Sequence, residues 1–443
     1  MASDWRAQSA AAQGRAIGAG VLDPVDLAGA YLDAIAADPE AGRIYARLTA
    51  PRALAEAEAA RNRARSDARR GLLDGVPVSW KDLFDTAGVE TEAGSALLEG
   101  RVPGRDAQVL QTATAAGLVC LGKTHMTELT FSGLGVNPVT ETPPNIHDAG
   151  AAPGGSSSGA AASVAFGLAA AGVGSDTGGS VRLPAAWNGL VGLKTTAGRL
   201  SLRGVVPLAA RFDTVGPLCR TVEDAALMLA ALEGVRAVDL RGAGLSGTRL
   251  MVLENIAFDD IQDSVCAGFE EAVERLAKAG AGIVRGTVPA LDTAMALSAV
   301  LYTTEAYATW AGTIEAAPDR MYGEILKRFR VGARFSGVDY VQAWQKLAAL
   351  RGDWHSATAG FDAVLLPTCP ILPPQVDRLL SDGEYFASQN LLALRNTRIG
   401  NLMGGSALTL PSGTPGVGVQ VLAPPRGEER LLRLGAAMER ALT

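Results

Sequence analysis

The sequence predicts an α/β layered fold, and three observations support this prediction. Helical patterns alternate with short apolar runs along most of the chain, which is typical of helices packed against a β-sheet. Hydrophobic residues make up 48% of the 443 residues, enough for a large core. No fixed-period repeat and no low-complexity linker divides the chain. We therefore expect a single domain over residues 1–443.

Local signals predict the individual elements in order. Asp23 suits a helix N-cap and Pro24 suits the first turn, so a helix is predicted over 23–36. A strongly charged helix over 51–70 follows, and the apolar run 76–80 is predicted to be a buried strand. The remaining predictions are helices over 106–117, 158–170, 221–233, 261–279 and 428–441, and strands over 118–121, 249–253, 282–286, 363–367, 407–411 and 417–422.

Three regions of the chain differ in character. Residues 1–70 are predicted to form N-terminal helices, and residues 75–220 hold the glycine- and serine-rich segments described below. Residues 290–360 are more helical and carry few motifs. We expect this last region to form a subdomain or a helical cover over a site, which makes it a candidate source of substrate contacts.

Charge and hydropathy argue against two classes of partner. The formal net charge is −6 and no basic block is present, which disfavours binding of nucleic acid through a broad positive surface. The longest uncharged stretch, 151–175, consists mainly of Ala, Gly and Ser, whereas a membrane span needs about 20 predominantly apolar residues. The first 20 residues lack the pattern of a secretory signal. We therefore expect neither nucleic-acid nor membrane binding.

Cysteine usage is typical of a reducing compartment. The four cysteines are far apart and form no CxxC pair, so the sequence predicts neither a disulfide framework nor a zinc site. We expect a cytoplasmic protein with free thiols and no bound metal. The four residues are Cys120, Cys219, Cys266 and Cys369.

Lysine is the informative residue type for catalysis. The three histidines stand in no Ser-His-Asp context and no GxSxG motif is present, so a nucleophile would need a different base. Only six of the 40 basic residues are lysine. Lysine can lose its proton when it is desolvated, whereas arginine cannot. Lys81 ends the apolar run that begins at Gly75, so we expect it at the end of a buried strand.

Two glycine- and serine-rich segments follow Lys81. The first, 153–159, leads directly into an Ala-rich helix, where free backbone N–H groups are suited to hold an anion or a hydroxyl. In the second, 174–184, two glycines precede Ser180 and allow backbone N–H groups to approach a substrate oxygen. Asp176 and Arg182 flank this serine and are predicted to form an ion pair.

These segments resemble the amidase-signature hydrolases. The resemblance rests on GVPVSWKDLFDTAG around Lys81, GGSSSG around Ser156 and GSDTGGSVRLP around Ser180. It continues through GKTHMTELTFSGLGVNP, GLVGLKTTAGRLS and FDTVGPLCRTVEDAALML to the C-terminal tail, so it covers most of the chain. The resemblance implies a large mixed β-sheet between helical layers, and hydrolysis of a small-molecule amide without metal or organic cofactor. Dimers are common in the family, so a homodimer is compatible with it.

The resemblance also implies roles for individual residues. Ser180 attacks the amide carbonyl and forms an acyl-enzyme. Ser156, which follows a cis peptide bond in the family, relays the proton to a neutral Lys81. The backbone N–H groups of Thr177, Gly178, Gly179 and Ser180 form the oxyanion hole, and the supporting residues are Ser157, Ser175, Asp176 and Arg182. A buried lysine with a depressed pKa is chemically able to serve as this base.

The substrate is the least determined feature. The stretch after Gly122-Lys-Thr lines the acyl pocket in the family, which implies Met126, Thr130 and Phe131 here; ordinary core packing is the alternative for these three. An aryl amide, an aliphatic amide and a urea-like substrate such as a carboxylated biuret all remain open. His125, Trp187 and Asn188 depart from the common family pattern and bear on the substrate, not on the reaction.

Two other functions remain open. The chain also resembles the glutaminase component of a tRNA-dependent amidotransferase. That component uses an acid a few residues before the asparagine that matches Asn401, to hold the amino group of glutamine. Residues 394–400 contain no acid, which argues against this function. A non-catalytic binding protein on the same fold is disfavoured because Lys81, Ser156 and Ser180 are all present.

Overall fold

A computed structural model describes residues 2–443. In chain order, its first half contains α1 (Ala10–Gly18), α2 (Pro24–Ala37), α3 (Ala41–Ile44), β1 (Tyr45–Leu48), α4 (Ala50–Arg65), β2 (Pro77–Lys81), α5 (Gln108–Ala115), β3 (Val119–Thr124), α6 (Ser158–Ala165), β4 (Ala171–Ser175), α7 (Arg182–Trp187), β5 (Val191–Lys194), β6 (Val215–Cys219) and α8 (Val222–Glu233).

The second half contains β7 (Arg249–Leu253), α9 (Asp263–Lys278), β8 (Gly282–Gly286), α10 (Ala290–Ala296), α11 (Ser298–Ala316), α12 (Gly323–Val331), α13 (Gly337–Thr358), β9 (Ala363–Pro367), α14 (Val376–Ser381), α15 (Gly383–Ala393), α16 (Arg395–Leu402), β10 (Ser406–Pro411), β11 (Gly418–Ala423) and α17 (Glu428–Leu442). Short 3₁₀ helices lie at Ala2–Ala7, Ala96–Leu98, Glu128–Thr130, Pro318–Arg320 and Gly332–Arg334.

All these strands belong to one mixed sheet with the order β1-β3-β2-β4-β6-β5-β10-β11-β9-β7-β8. β2 pairs in parallel with β3 and β4, and β7 pairs in parallel with β8 and β9. The pairs through the centre, from β4 to β9, are antiparallel. The predicted α/β fold with a large mixed sheet between helices is confirmed.

Helices cover the sheet and bury most of its strands, whereas the edge strands β1 and β8 are partly exposed. β2, β3, β4, β5 and β6 are buried at every position, because α6, α7, α8 and α17 pack against the central strands. Strands buried on both faces read as apolar runs instead of alternating patterns. This explains why the apolar run before Lys81 predicted β2. None of the helices in residues 2–443 is long and apolar enough to cross a membrane.

Several predicted helices and strands form with shifted ends, and α6 differs most from its prediction. The helix predicted over 158–170 ends at Ala165, because Gly167 adopts a positive φ of 70° and turns the chain into β4. β4 itself was missed since glycine is a poor strand former. A Cβ at Gly172 would lie 2.7 Å from the carbonyl oxygen of Ala160 in α6. Glycine therefore lets the helix approach the strand closely.

Candidate active site

The side chain of Lys81 lies at the C-terminal end of β2 and bonds to two serines. Its Nζ donates to Oγ of Ser156 at 2.7 Å and to Oγ of Ser175 at 2.9 Å. Lys81 and Ser156 have no solvent-exposed surface, and Ser175 is also buried. Because β2 and β4 pair in parallel, Lys81 and Ser175 end neighbouring strands at the same edge. The sheet therefore fixes the lysine and Ser175 relative to each other.

Burial lowers the pKa of Lys81 well below its usual value of 10.5. The carboxylates of Asp213 and Asp176 act in the opposite direction and favour the ammonium form, but the loss of hydration has the larger effect. No carboxylate in residues 2–443 lies within ion-pair distance of the Lys81 amine. The environment therefore favours a neutral amine, which can accept a proton from a hydroxyl.

Ser156 reaches Lys81 from the loop that precedes α6. The peptide bond between Gly155 and Ser156 is cis. The N–H of Thr127 donates to the carbonyl oxygen of Ser156 at 3.1 Å, and the N–H of Ser157 donates to the carbonyl oxygen of Ser180 at 3.3 Å. The Ser157 hydroxyl donates to the carbonyl oxygen of Ser175 at 3.3 Å. These bonds connect the Ser156 loop directly to the segment that carries Ser180.

The segment from Thr177 to Ser180 presents unpaired backbone donors. Within residues 2–443, the N–H groups of Thr177, Gly178 and Ser180 have no hydrogen-bond acceptor. The N–H of Gly179 differs from them, because it donates to Oδ1 of Asp176 at 2.9 Å. Free N–H groups beside a nucleophile are suited to stabilise an oxyanion. The structure thus offers three of the four predicted donors without a competing acceptor.

The Asp176–Arg182 ion pair holds the donor segment in place, because Asp176 accepts from the N–H of Gly179. Nη2 of Arg182 lies 2.9 Å from Oδ1 of Asp176, and both side chains are fully buried. The ion pair is satisfied by further bonds: Nη2 of Arg182 donates to Oδ1 of Asn401, and Nδ2 of Asn401 donates to Asp176 at 2.9 Å. The Arg182 guanidinium lowers the pKa of Asp176 to about 2 despite its burial. A complete network of this kind rigidifies the loop it holds.

The Gly179→Ala variant is expected to lose both activity and stability. Gly179 has φ of 138°, and an added Cβ would lie 2.0 Å from Oγ1 of Thr397. The same Thr397 hydroxyl bonds the carbonyl oxygen of Gly178 at 2.7 Å, so any shift disturbs the donor segment. We expect a destabilisation of about 2 kcal/mol or more and at least a tenfold loss of kcat. Thermal unfolding and steady-state kinetics would test this.

Gly312→Ala is the matched control for this prediction. Gly312 lies within α11, and an added Cβ would meet nothing within 4 Å. Alanine is the better helix former at such a position, so the control should be neutral or slightly stabilising. A Gly179→Ala protein with wild-type melting temperature and kcat would show that the close approach to Thr397 is not needed.

A cavity of about 490 Å³ opens in front of Ser180. Thr177 and Gly178 line it beside the serine, and so do Thr130 and Phe131 of the predicted acyl pocket. Met126 is not among its lining residues: its side chain is fully buried, and its carbonyl oxygen accepts from Nδ2 of Asn137 at 2.7 Å. The region 290–360 contributes lining residues from α10, α11 and α12: Met295, Ala296, Ser298, Ala299, Tyr302, Thr303, Glu324, Lys327, Arg328 and Val331.

Comparison with known proteins identifies the family. The family model described as Amidase matches residues 26–432. The chain belongs to the amidase family. It is a carbon–nitrogen hydrolase, as the resemblance around Lys81, Ser156 and Ser180 predicted. The predicted family and enzyme class are therefore confirmed.

Individual relatives of this amidase span most of its length. A 2-amino-5-chloromuconic acid deaminase of Comamonas testosteroni is 39% identical over 394 residues, covering 83% of this chain and 82% of the relative. One component of the glutamyl-tRNA(Gln) amidotransferase of Acidothermus cellulolyticus is 33% identical over 460 residues, covering 93% and 90%. A crystal structure of an amidase matches with a TM-score of 0.89 and 29% identity, covering 98% of this chain and all of the other.

Sequence reasoning missed several residues that hold this amidase site. Asp213 accepts a hydrogen bond from Oγ1 of Thr177 at 2.6 Å, and Asn401 and Thr397 reach the donor segment from α16. Gln420 accepts from Arg182 at 2.5 Å. Asp213 lies in a motif that carried the resemblance, which was a usable signal. Asn401 was noted only as the match of a family asparagine, and no local pattern marks Thr397 or Gln420.

No metal-binding cluster accompanies the site. Within residues 2–443, no three His, Cys, Asp or Glu side chains are grouped so that they could hold a metal ion. Charged side chains also line the cavity, and the site itself presents serine hydroxyls, unpaired backbone N–H groups and the Lys81 amine. These groups are suited to proton transfer and to stabilising an oxyanion.

Proposed function

We propose that this amidase hydrolyses a linear, non-peptide carboxylic amide through an acyl-enzyme on Ser180. The main support for this proposal is the hydrogen bond of 2.7 Å from Nζ of Lys81 to Oγ of Ser156, because both side chains are fully buried. An amine held in this way is able to withdraw a proton from a serine chain. Ser180 is the serine that lines both the cavity and the donor segment, so it is the proposed nucleophile.

The proposed reaction transfers one proton around a closed path. Oγ of Ser180 attacks the amide carbonyl carbon while its proton passes to Ser156, and the Ser156 proton passes to the neutral Lys81. The tetrahedral oxyanion accepts bonds from the N–H groups of Thr177, Gly178 and Ser180. The proton returns to the leaving nitrogen as the C–N bond breaks, which releases ammonia or an amine. Water then attacks the ester, regenerates Ser180 and releases the carboxylic acid.

The Ser156→Ala variant tests the proposed proton relay. Removing the hydroxyl leaves Lys81 bonded to Ser175 at 2.9 Å, so the lysine keeps a partner while the path to Ser180 is interrupted. We expect kcat to fall about 100-fold or more with little change in KM. Ser163→Ala is the matched control, because Ser163 is a buried serine of α6 that bonds to Ser79 at 2.8 Å, away from the cavity. A Ser156→Ala enzyme with kcat within a few-fold of the control would contradict the relay.

The substrate class is tested by a panel of amides with ammonia and amine detection. The panel includes aliphatic amides, aryl amides, carboxylated biuret and glutamine, each measured with wild type and with Ser180→Ala. Turnover that depends on Ser180 supports the proposal. Turnover that persists in Ser180→Ala, or no turnover of any amide, contradicts it.

The glutaminase component of an amidotransferase is the second candidate function, favoured by the similarity to the glutamyl-tRNA(Gln) enzyme. The cavity argues against it. The segment 394–400 places the cation of Arg398 in the cavity and offers no carboxylate for the ammonium group of glutamine. We therefore expect glutamine to be a poor substrate. Glutaminase activity that rises on adding partner proteins would favour the second candidate instead.

We also propose that the enzyme is cytoplasmic and forms a homodimer. The four cysteines all carry free thiols, three of them buried, which is typical of proteins of a reducing cytoplasm. Size-exclusion chromatography with light scattering would test the proposed homodimer. The cytoplasmic setting and the homodimer do not affect the proposed chemistry at Ser180, because all the catalytic groups proposed here come from one chain.

A further inference from the structure

The cavity in front of Ser180 carries an unbalanced positive charge. Its charged lining residues are Glu324, Lys327, Arg328 and Arg398. Nζ of Lys327 lies 2.6 Å from Oε1 of Glu324, so these two charges neutralise each other. In the described part of the chain, no carboxylate lies within ion-pair distance of Arg328 or Arg398. Two guanidinium groups therefore face the cavity without a counter-ion.

The Nε atom of Arg328 has no polar partner in the described part of the chain. This atom is also inaccessible to solvent. The guanidinium carbon lies 4.7 Å from the ring centroid of Phe131, and this ring packs against Phe329 with a centroid distance of 4.7 Å. A guanidinium at this distance is attracted to the aromatic ring. A buried donor without an acceptor is costly, and no group of the described residues offsets this cost.

Arg398 and Tyr302 also line the cavity, from α16 and α11. Nη2 of Arg398 donates to the carbonyl oxygen of Leu391 at 3.0 Å, and this is the one hydrogen bond of its side chain to the described residues. The hydroxyl of Tyr302 is buried and has no partner among residues 2–443, and it interacts electrostatically with Arg398. Burial and the neighbouring Arg398 lower the pKa of Arg328, as expected for two cations that line the same cavity.

We propose that Arg328 and Arg398 form a carboxylate subsite, and that the substrate is an amide whose acyl half carries a carboxylate, such as the monoamide of a dicarboxylic acid. This inference rests on the proposed function of Ser180. A carboxylate supplies acceptors for both guanidinium groups and neutralises part of the positive charge of the cavity. Arginine is the residue best suited to recognise a planar carboxylate.

The carboxylate belongs to the acyl half for a geometric reason. The cavity that contains the two arginines also contains Ser180 and the N–H donors of Thr177 and Gly178. The acyl half stays attached to Ser180 after the amine has left, so it is the part that occupies this cavity throughout the reaction. Apolar residues such as Leu208 and Phe386 line the same cavity and would contact the methylene groups of a dicarboxylic acyl chain.

Matched substrate pairs test the inference. Succinamic, glutaramic and adipamic acids are compared with butanamide, pentanamide and hexanamide, which have the same carbon chains without the terminal carboxylate. We expect kcat/KM for at least one acid to exceed that of its neutral partner by tenfold or more. A wild-type enzyme that turns over the neutral amides as well as or better than all three acids would overturn the carboxylate subsite while leaving the proposed function intact.

Variants assign the effect to the arginines. In Arg398→Leu and in Arg328→Leu, the acid-to-amide ratio of kcat/KM should fall about tenfold or more. Arg395→Leu is the matched control, because Arg395 is a half-buried arginine of α16 that bonds to the carbonyl oxygen of Ala257 at 3.2 Å and does not line the cavity. A ratio that is unchanged in both cavity variants overturns the subsite.

A binding measurement separates this inference from the catalytic proposal. Succinate, glutarate and adipate are titrated into the Ser180→Ala protein, and thermal unfolding and calorimetry report binding without turnover. We expect at least one diacid to bind to this protein and to lose its affinity about tenfold or more when Arg398→Leu is added. Absence of binding by all three diacids, or binding that is equal with and without Arg398, overturns the subsite even when Ser180 proves to be the nucleophile.

Discussion

Ser180→Ala is expected to lower kcat by about 10,000-fold or more, because the variant lacks the hydroxyl on which the proposed acyl-enzyme forms. The fold should be unaffected, since the Ser180 hydroxyl makes no hydrogen bond to the described residues, and its backbone carbonyl still accepts from Ser157 at 3.3 Å. The measurement is steady-state ammonia release together with covalent labelling by a fluorophosphonate. We expect labelling of wild type at Ser180 and none of the variant.

Ser388→Ala is the control for this experiment. Ser388 is an exposed serine of α15 whose hydroxyl donates to the carbonyl oxygen of Tyr385 at 2.9 Å, and it does not line the cavity. Its activity and labelling should match wild type. If Ser180→Ala retains more than about 1% of wild-type kcat, the nucleophile lies elsewhere, and the geometry around Lys81 has another purpose.

The sequence predicted the parts of the fold that depend on local patterns. α2 begins after Asp23, whose side chain accepts from the N–H of Val25 at 2.8 Å, and this capping was readable from Asp23-Pro24. β4 and β6 were not predicted, because their glycines serve close packing: a Cβ at Gly216 would lie 1.9 Å from the carbonyl oxygen of Leu193. Requirements of that kind depend on the neighbouring element, which no local pattern reveals.

The candidate site was predicted unevenly for a related reason. Lys81 stood out because lysine is rare in this chain, where arginine supplies most of the positive charge. The same abundance of arginine hid Arg328 and Arg398, which are indistinguishable by sequence from surface arginines. Only the fold shows that α12 and α16 bring them to one cavity. Rare residue types can be interpreted from sequence, whereas common types become informative only through their position.

Met126 illustrates the limit of carrying over a pocket by resemblance. Its neighbours Thr130 and Phe131 line the cavity, yet the Met126 side chain packs into the core. The chain turns between them through Leu129 and Thr130, which both adopt positive φ values of 44° and 64°. Such backbone conformations are uncommon outside glycine and redirect the side chains that follow. A motif therefore predicts the neighbourhood of a pocket better than its lining.

The second large effect is expected for Lys81→Met, which should reduce kcat about as much as Ser180→Ala while leaving the protein folded. Methionine is similar in size and is apolar, so it suits a side chain that is fully buried. The loss of the amine removes the proposed proton acceptor, and the direct neighbours of the amine are hydroxyls, not carboxylates. No buried charge is left unpaired by this substitution.

Lys123→Met provides a contrast with a second buried lysine. Nζ of Lys123 lies 3.0 Å from Oδ1 of Asp82, and both side chains are almost fully buried. Removing this lysine leaves the Asp82 carboxylate without its closest cation, which typically costs about 3–5 kcal/mol. We expect Lys123→Met to be strongly destabilised, while its folded fraction keeps turnover. Lys81→Met should instead remain stably folded and lose turnover.

The pH dependence of stability provides the decisive test of a neutral Lys81. Burial lowers its pKa in the folded state, whereas in the unfolded state the pKa returns to the usual 10.5. Between these two pKa values the unfolded chain binds one proton more than the folded protein at this site. Wild type should therefore gain stability relative to Lys81→Met as pH rises through that window, by up to about 1.4 kcal/mol per pH unit. Urea unfolding of both proteins at several pH values between 7 and 10 measures the difference, and a difference that is constant or falls with pH would mean that Lys81 is protonated in the folded enzyme and cannot be the base.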